Sequence, residues 1–78
     1  MNLKVYSPEK ILFEDTVSSV KLPGIDGTFQ VLKDHAPLIS ALKEGIIEIH
    51  EDKGNKEIPI KGGFVEVLYN ELSALVEE

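Results

Sequence analysis

Cysteine, tryptophan and arginine are all missing from the 78 residues. Without cysteine there is no disulfide and no thiolate metal site, and nothing points to an oxidising compartment. All eight positive side chains are lysines, so no planar guanidinium fork is available for bidentate phosphate recognition. With fourteen acidic residues the formal net charge is −6, a balance that argues against nucleic acid as a partner. Long apolar runs are missing too. None approaches the ~20 residues of a spanning helix, and the N-terminal MNLKVYSPEK has no apolar signal core. The expectation is a cytoplasmic-side protein that does not insert into a membrane, although it can sit on a membrane complex.

The residues that are present are those of a globular protein, 42% hydrophobic and 28% charged. The length fits one domain, residues 1–78, with no room for a second. So small a domain buries only about 60–65% of its unfolded-chain surface, so additional support has to come from packing or association.

Apolar residues recur with period two. Leu3 and Val5 alternate with polar neighbours, Ser7-Pro8-Glu9 breaks the run, and Ile11-Leu12-Phe13 resumes it. Val17 to Leu22 reads as a strand closed by Pro23-Gly24, and Thr28 to Leu32 as the next, reached through Asp26-Gly27. Leu38 to Leu42, Ile47 with Ile49, Lys56 to Ile60, Phe64 to Tyr69 and Leu72 to Val76 follow, separated by turn residues. Ser40 to Glu44 is the one place where a brief helical turn fits. Nine or ten short strands without a long 3.6-residue period predict an all-β antiparallel sandwich or barrel. Phe64 to Tyr69 is apolar on both faces, which suits either a crowded central strand or an outward face that meets a partner.

Chemical motifs are weak. Asp34-His35 has the form of a general-base pair, yet catalysis also needs a nucleophile and a pocket, and a turn histidine meeting backbone or a partner explains it better. His50 has no second histidine at metal-ligand spacing and reads as part of a solvated strand face. The glycines of Gly24-Ile25-Asp26-Gly27 lack the lysine, the hydroxyl and the helix of a phosphate loop. None of Ser7, Ser18, Ser19, Ser40 and Ser73 lies in a nucleophile-elbow setting. No catalytic residue, cofactor or metal site is expected. A free-standing carbohydrate- or peptide-binding module, or a small hydrolase, are the competing classes, and five aromatics leave few to expose in a binding module once a core is filled.

Several pieces in order carry a family resemblance: Ser7-Pro8-Glu9 with Phe13; Leu22-Pro23-Gly24; Gly27-x-Phe29-x-Val31-Leu32; His35-Ala36-Pro37-Leu38-Ile39; Leu42 with Gly45; and Gly62-Gly63-Phe64-x-Glu66-Val67-x-x-Asn70. Over almost the whole length the chain resembles the N-terminal domain of the epsilon subunit of F-type ATP synthase. The resemblance implies a two-sheet sandwich of ten strands and a non-catalytic rotor subunit. Such a subunit brackets gamma and rests on the c ring, peripheral to the cytoplasmic face of a bacterial inner membrane, one copy per complex. It also implies that Ser7, His35, Ala36, Pro37, Leu38 and Leu42 lie on the gamma side and that Asp26, Gly27 and Thr28 reach the c ring. Many relatives carry an acidic residue where Thr28 stands, a charge that Asp26 can supply. Typical bacterial and chloroplast relatives continue as two antiparallel helices; a naturally short form or the N-terminal domain alone would each account for an end at Glu78.

Overall fold

In a computed structural model that describes residues 1–78, the chain runs as nine strands. They are β1 (Asn2–Tyr6), β2 (Ile11–Thr16), β3 (Ser19–Gly24), β4 (Gly27–Val31), β5 (His35–Leu42), β6 (Gly45–Glu51), β7 (Gly54–Ile60), β8 (Gly62–Tyr69) and β9 (Glu71–Glu77). No helix forms. The expected helical turn at Ser40 to Glu44 is instead the end of β5, because Ser40, Ala41 and Leu42 pair with Val65, Phe64 and Gly63 of β8. Cross-strand pairing outweighs the weak local preference of so short a stretch.

Five strands, in the order β2-β1-β9-β8-β5, make one layer, and β4, β3, β6 and β7 make the other. The expected ten strands in two separate sheets are nine strands in one hydrogen-bonded sheet, eight along a single path and β4 branching from β3, since β3 touches β5 at the single pair Gly24 and Leu42. That one pair is the corner where the sheet folds over on itself. Every pairing is antiparallel except β1 with β9, where the first and last strands run side by side in the same direction.

Period two decides what is inside. Leu3 and Val5 of β1, Val65 and Val67 of β8, and Leu72, Ala74 and Val76 of β9 point inward. They meet Val20 and Leu22 of β3, Val31 of β4, and Ile47 and Ile49 of β6, in one cluster of sixteen buried side chains. Burying each of the larger ones is worth about 1.5–3 kcal/mol, and the absence of cysteine leaves this cluster as the main bond between the layers.

The two long sides of the sandwich differ. On one, β2 is stitched to the β6–β7 hairpin: Lys53 Nζ lies 3.4 Å from Asp15 Oδ2, and the Lys56 ammonium sits 5.3 Å from the Phe13 ring centroid. Nearby, the Ser18 amide and hydroxyl both donate to the His50 carbonyl, at 2.9 and 2.7 Å. On the other side, β4 pairs only with β3, and most of β5 pairs only with β8, so two strand edges face open space.

Gly63 fixes how closely β8 and β9 approach. Its φ is 152°, and a Cβ there would overlap the Leu75 carbonyl oxygen. Gly54, with φ 132°, has open space where a Cβ would go. Gly63→Ala is therefore expected to destabilise the fold by about 2–4 kcal/mol and Gly54→Ala by about 1 kcal/mol in urea titrations; equal costs would contradict the close approach.

The Thr16 amide bond to Asp15, and then the ammonium of Lys53, hold the Asp15 carboxyl below its ordinary 3.8. A depressed folded-state pKa stabilises fully above the unfolded value and is lost as pH falls through the folded one. The Asp15 titration followed by NMR is expected to have its midpoint below 3.8. Lys53→Met should raise that midpoint only part of the way, since the Thr16 bond survives.

Candidate protein-contact site

The open side of the sandwich gathers most of the residues singled out in the sequence. The turn from β3 to β4 is tight: Gly24 pairs with Gly27, whose φ of 133° suits glycine. Ile25, Asp26, Gly27 and Thr28 are all exposed at this tip. Asp26 and Thr28 therefore project from a rigid hairpin.

The second part is the turn into β5. Asp34 has a left-handed φ of 62°, uncommon for a residue with a side chain. Asn70, in the tight turn between β8 and β9, holds it there with a reciprocal pair of bonds. The Asp34 amide donates to Asn70 Oδ1 at 2.9 Å, and Asn70 Nδ2 donates to Asp34 Oδ1 at 2.9 Å. The Asn70 carbonyl also accepts the Asn2 amide at 2.8 Å, so one residue ties β1, the β8–β9 turn and the start of β5 together. The register of β5 on β8 slips between His35 and Leu38. This bulge pushes Ala36 and Pro37 out into solvent, and Pro37, lacking an amide hydrogen, costs no ladder bond there.

His35 is half-buried, and its Nδ1 donates to the Ala36 carbonyl at 2.6 Å. With Asp34 bonded to Asn70 and His35 to Ala36, the two do not form a general-base pair. His50 likewise has a structural partner, its Nδ1 lying 3.0 Å from Asn55 Oδ1 across the β6–β7 hairpin. No group of three or more histidine, aspartate or glutamate side chains converges as a metal site.

Between the edges of β4 and β5 lies a shallow cleft of about 510 Å³, lined among others by Asp26, Gly27, Thr28, Phe29, His35 and Leu38. Tertiary structure thus brings the two separately identified groups, the hairpin tip and the start of β5, to the walls of one cleft. Leu38 is half-buried and packs against the core. Ser7 and Leu42 are placed differently. Both are buried: Leu42 is part of the core, and the Ser7 hydroxyl accepts the Lys10 amide at 3.3 Å to close the β1–β2 turn. Neither presents its side chain to the cleft: Leu42 anchors the far end of β5, and Ser7 lies three strands away from β5 in the layer, in the β1–β2 turn. Phe29, Gln30 and Ser40 also line the cleft and were not picked out from sequence. The alternation Gly27-x-Phe29-x-Val31 was the available signal for Phe29, as it places that ring on the inward side of an edge strand.

A profile of the family described as ATP synthase, Delta/Epsilon chain, beta-sandwich domain matches residues 1–78. The chain belongs to this family. It is 43% identical over 77 residues to the ATP synthase epsilon chain of Leptospira borgpetersenii serovar Hardjo-bovis (strain JB197), covering 99% of this chain and 61% of that one. It is also 43% identical to the ATP synthase epsilon chain of Chlorobium limicola, covering 97% of this chain and 88% of the relative. The chain thus spans about three fifths of the Leptospira relative and most of the Chlorobium one. Among solved structures, a chain of the Euglena gracilis mitochondrial ATP synthase (OSCP/F1/c-ring, rotational state 1) superposes with a TM-score of 0.90 at 22% identity, covering 97% of this chain and 49% of that one. A chain of the Tetrahymena thermophila mitochondrial ATP synthase central stalk/c-ring gives 0.85 at 16% identity, covering 100% and 63%. At these identities the two structures show a shared fold. The place of Asn70 in the family-like motif Gly62-Gly63-Phe64-x-Glu66-Val67-x-x-Asn70 has a physical basis in the clamp on Asp34.

Asn70→Ala removes both side-chain bonds and leaves Asp34 in a left-handed conformation with nothing to hold it. A loss of about 1 kcal/mol is expected, with amide chemical-shift changes concentrated between Leu32 and Leu38. Changes confined to the β8–β9 turn would show that the clamp does not order the start of β5.

Proposed function

We propose that the chain is a non-catalytic central-stalk subunit of a proton- or sodium-translocating F-type ATP synthase. It would bracket the gamma subunit and contact the c ring, so that ion-driven rotation reaches the catalytic head. The observation that supports this reading best is the cleft itself. Of the six residues the family resemblance assigns to gamma, His35 and Leu38 line it together with Asp26, Gly27 and Thr28, which the resemblance assigns to the c ring, and Ala36 and Pro37 project from the same strand. A rotor part has to transmit torque, and contacts on hairpin tips braced by a packed core move with the body that carries them.

The unpaired edges of β4 and β5 add backbone donors and acceptors that a partner can satisfy. Ser7 and Leu42 hold the β1–β2 turn and the inner end of β5 from beneath. Within the complex the chain would sit once per rotor, peripheral to the cytoplasmic face of a bacterial inner membrane. No helix of the chain is long and apolar enough to cross a membrane.

The test uses gamma and c ring purified from a bacterial F-type enzyme. Ala36→Arg, on the exposed bulge, is expected to weaken gamma binding at least about tenfold. Asp26→Lys should leave gamma binding unchanged and reduce retention on the c ring. Asn55→Arg, on the far hairpin, should change neither. Gamma affinity unaffected by Ala36→Arg, in a variant with an unchanged urea midpoint, would refute the assignment of this edge.

A further inference from the structure

Strand register decides which backbone groups of β4 face away from β3. The tight turn at Ile25 and Asp26 closes Gly24 on Gly27 as a hydrogen-bonded pair, so in the antiparallel alternation Leu22 with Phe29 and Val20 with Val31 are hydrogen-bonded too. Pro23 with Thr28 and Lys21 with Gln30 fall in between. Pro23 fixes this phase: it has no amide hydrogen to give β4, and its carbonyl accepts the Lys43 amide at 2.9 Å instead. The amide and carbonyl of Thr28 and of Gln30 therefore point out of the sheet edge, and none of the four has a partner within the chain.

Across the cleft, β5 has a matching feature. Ala41 turns its carbonyl away from β8 to accept the Ile25 amide at 3.0 Å. By the same alternation Ile39, which lies beyond the bulge, also points its amide and carbonyl away from β8. A residue of strand fills about 160 Å³, from ~4.8 Å between strands, ~10 Å between stacked sheets and ~3.3 Å of rise. The cleft of about 510 Å³ thus takes about three residues of extended chain, the length over which β4 offers Thr28 to Gln30. Phe29 and Leu38, both packed against the core, are its apolar floor.

The edge strands differ in how they deter stray pairing. β2 carries Glu14 and Asp15, β7 carries Lys56, Glu57 and Pro59, and β5 carries Pro37, the kinds of residue that guard an edge. β4 reads Gly-Thr-Phe-Gln-Val, with no charge and no proline. Its unguarded edge is the one beside the cleft.

From this register we infer that an extended segment of the gamma subunit enters the cleft as an added strand, hydrogen-bonded to the main chain of Thr28 and Gln30 with Ile39 on its other side. The inference rests on the rotor reading and specifies how that contact is made, by main-chain pairing of the strand-addition kind. The residue of the segment opposite Phe29 is apolar, since it lies over Phe29 and Leu38. A basic residue flanks it, because Asp26 stands at the mouth of the cleft on a chain of net charge −6. Thr28 serves both partners without conflict: its main chain points along the sheet into the cleft, and its side chain stands off the sheet.

Amide hydrogen exchange of the chain, free and with gamma purified from a bacterial F-type enzyme, tests the inference. In the free chain the Thr28 and Gln30 amides are expected to exchange at least about tenfold faster than those of Phe29 and Val31, and to slow at least about tenfold when gamma binds. Gln30→Pro removes one outward amide and leaves the ladder to β3 whole. It is expected to weaken gamma binding about tenfold more than Gln30→Ala, which keeps the amide. Thr28 and Gln30 amides that stay fast in a complex sensitive to Ala36→Arg would overturn the added strand and leave the contact reading in place. Equal losses from Gln30→Pro and Gln30→Ala would assign the contact to the side chain and overturn it as well. Failure of gamma to bind the unaltered chain would overturn both readings. The exchange measurement uses the unaltered chain, so it decides even where Gln30→Pro lowers the urea midpoint.

Discussion

Sixteen side chains buried between two layers hold this molecule together, and every other feature is arranged around that contact. No disulfide or cluster of metal-ligating side chains reinforces it. The corner between the layers is a single strand pair, Gly24 with Leu42, which is too little to fix their relative position by hydrogen bonding. Dispersion and burial must do so, and they do it with β-branched and leucine side chains that have few rotamers to choose between. The parallel pairing of β1 with β9 follows from the same need. It seats Leu3 and Val5 at the centre of the inner face, beside Leu72 and Ala74.

A core this small leaves long edges, and the two long sides of the sandwich treat them differently. Where β2 and the β6–β7 hairpin meet, an exposed ion pair and a lysine over a phenylalanine ring close the gap. Exposed pairs contribute little stability, so their effect is on geometry: they hold that side shut. Where β4 and β5 meet, the Ile25 amide donates to the Ala41 carbonyl at the corner, the two strands themselves do not pair, and the bulge before Leu38 turns Ala36 and Pro37 outward. The rigidity that makes this edge useful comes from elsewhere, through Asn70. That residue fastens the start of β5 to the β8–β9 turn and, through its carbonyl, to the chain's first strand. A contact surface can then consist of short turns without being loose.

Much of this was readable in order along the chain. The period-two alternation of Leu3 with Val5, Ile47 with Ile49 and Leu72 to Val76 determined strands and their inward faces, because side chains on a strand point alternately to its two sides whatever the strand pairs with. The absence of cysteine and arginine limited the chemistry before any fold was known. Glycines at 24 and 27 determined a tight turn for the same local reason. The family-like motifs, taken together, led to the delta/epsilon class that the profile over residues 1–78 bears out.

Which strands would meet was a different matter. Nothing local in Ser40 to Glu44 tells a helical turn from a strand end; the partner strand β8 decides it. Leu42 and Ser7 look like surface candidates in the sequence and are buried in the structure, because burial depends on what the other layer brings against them. Asp34 and Asn70 are thirty-six positions apart and find each other only once β5 and β8 are paired. The sequence alone determined the strands, their inward faces and the class of protein, since these rest on short-range periodicity and composition. Only the tertiary structure decided the strand order, the open edge and the cleft that unites Asp26, Gly27 and Thr28 with His35 and Leu38, since these rest on contacts between segments far apart in the chain.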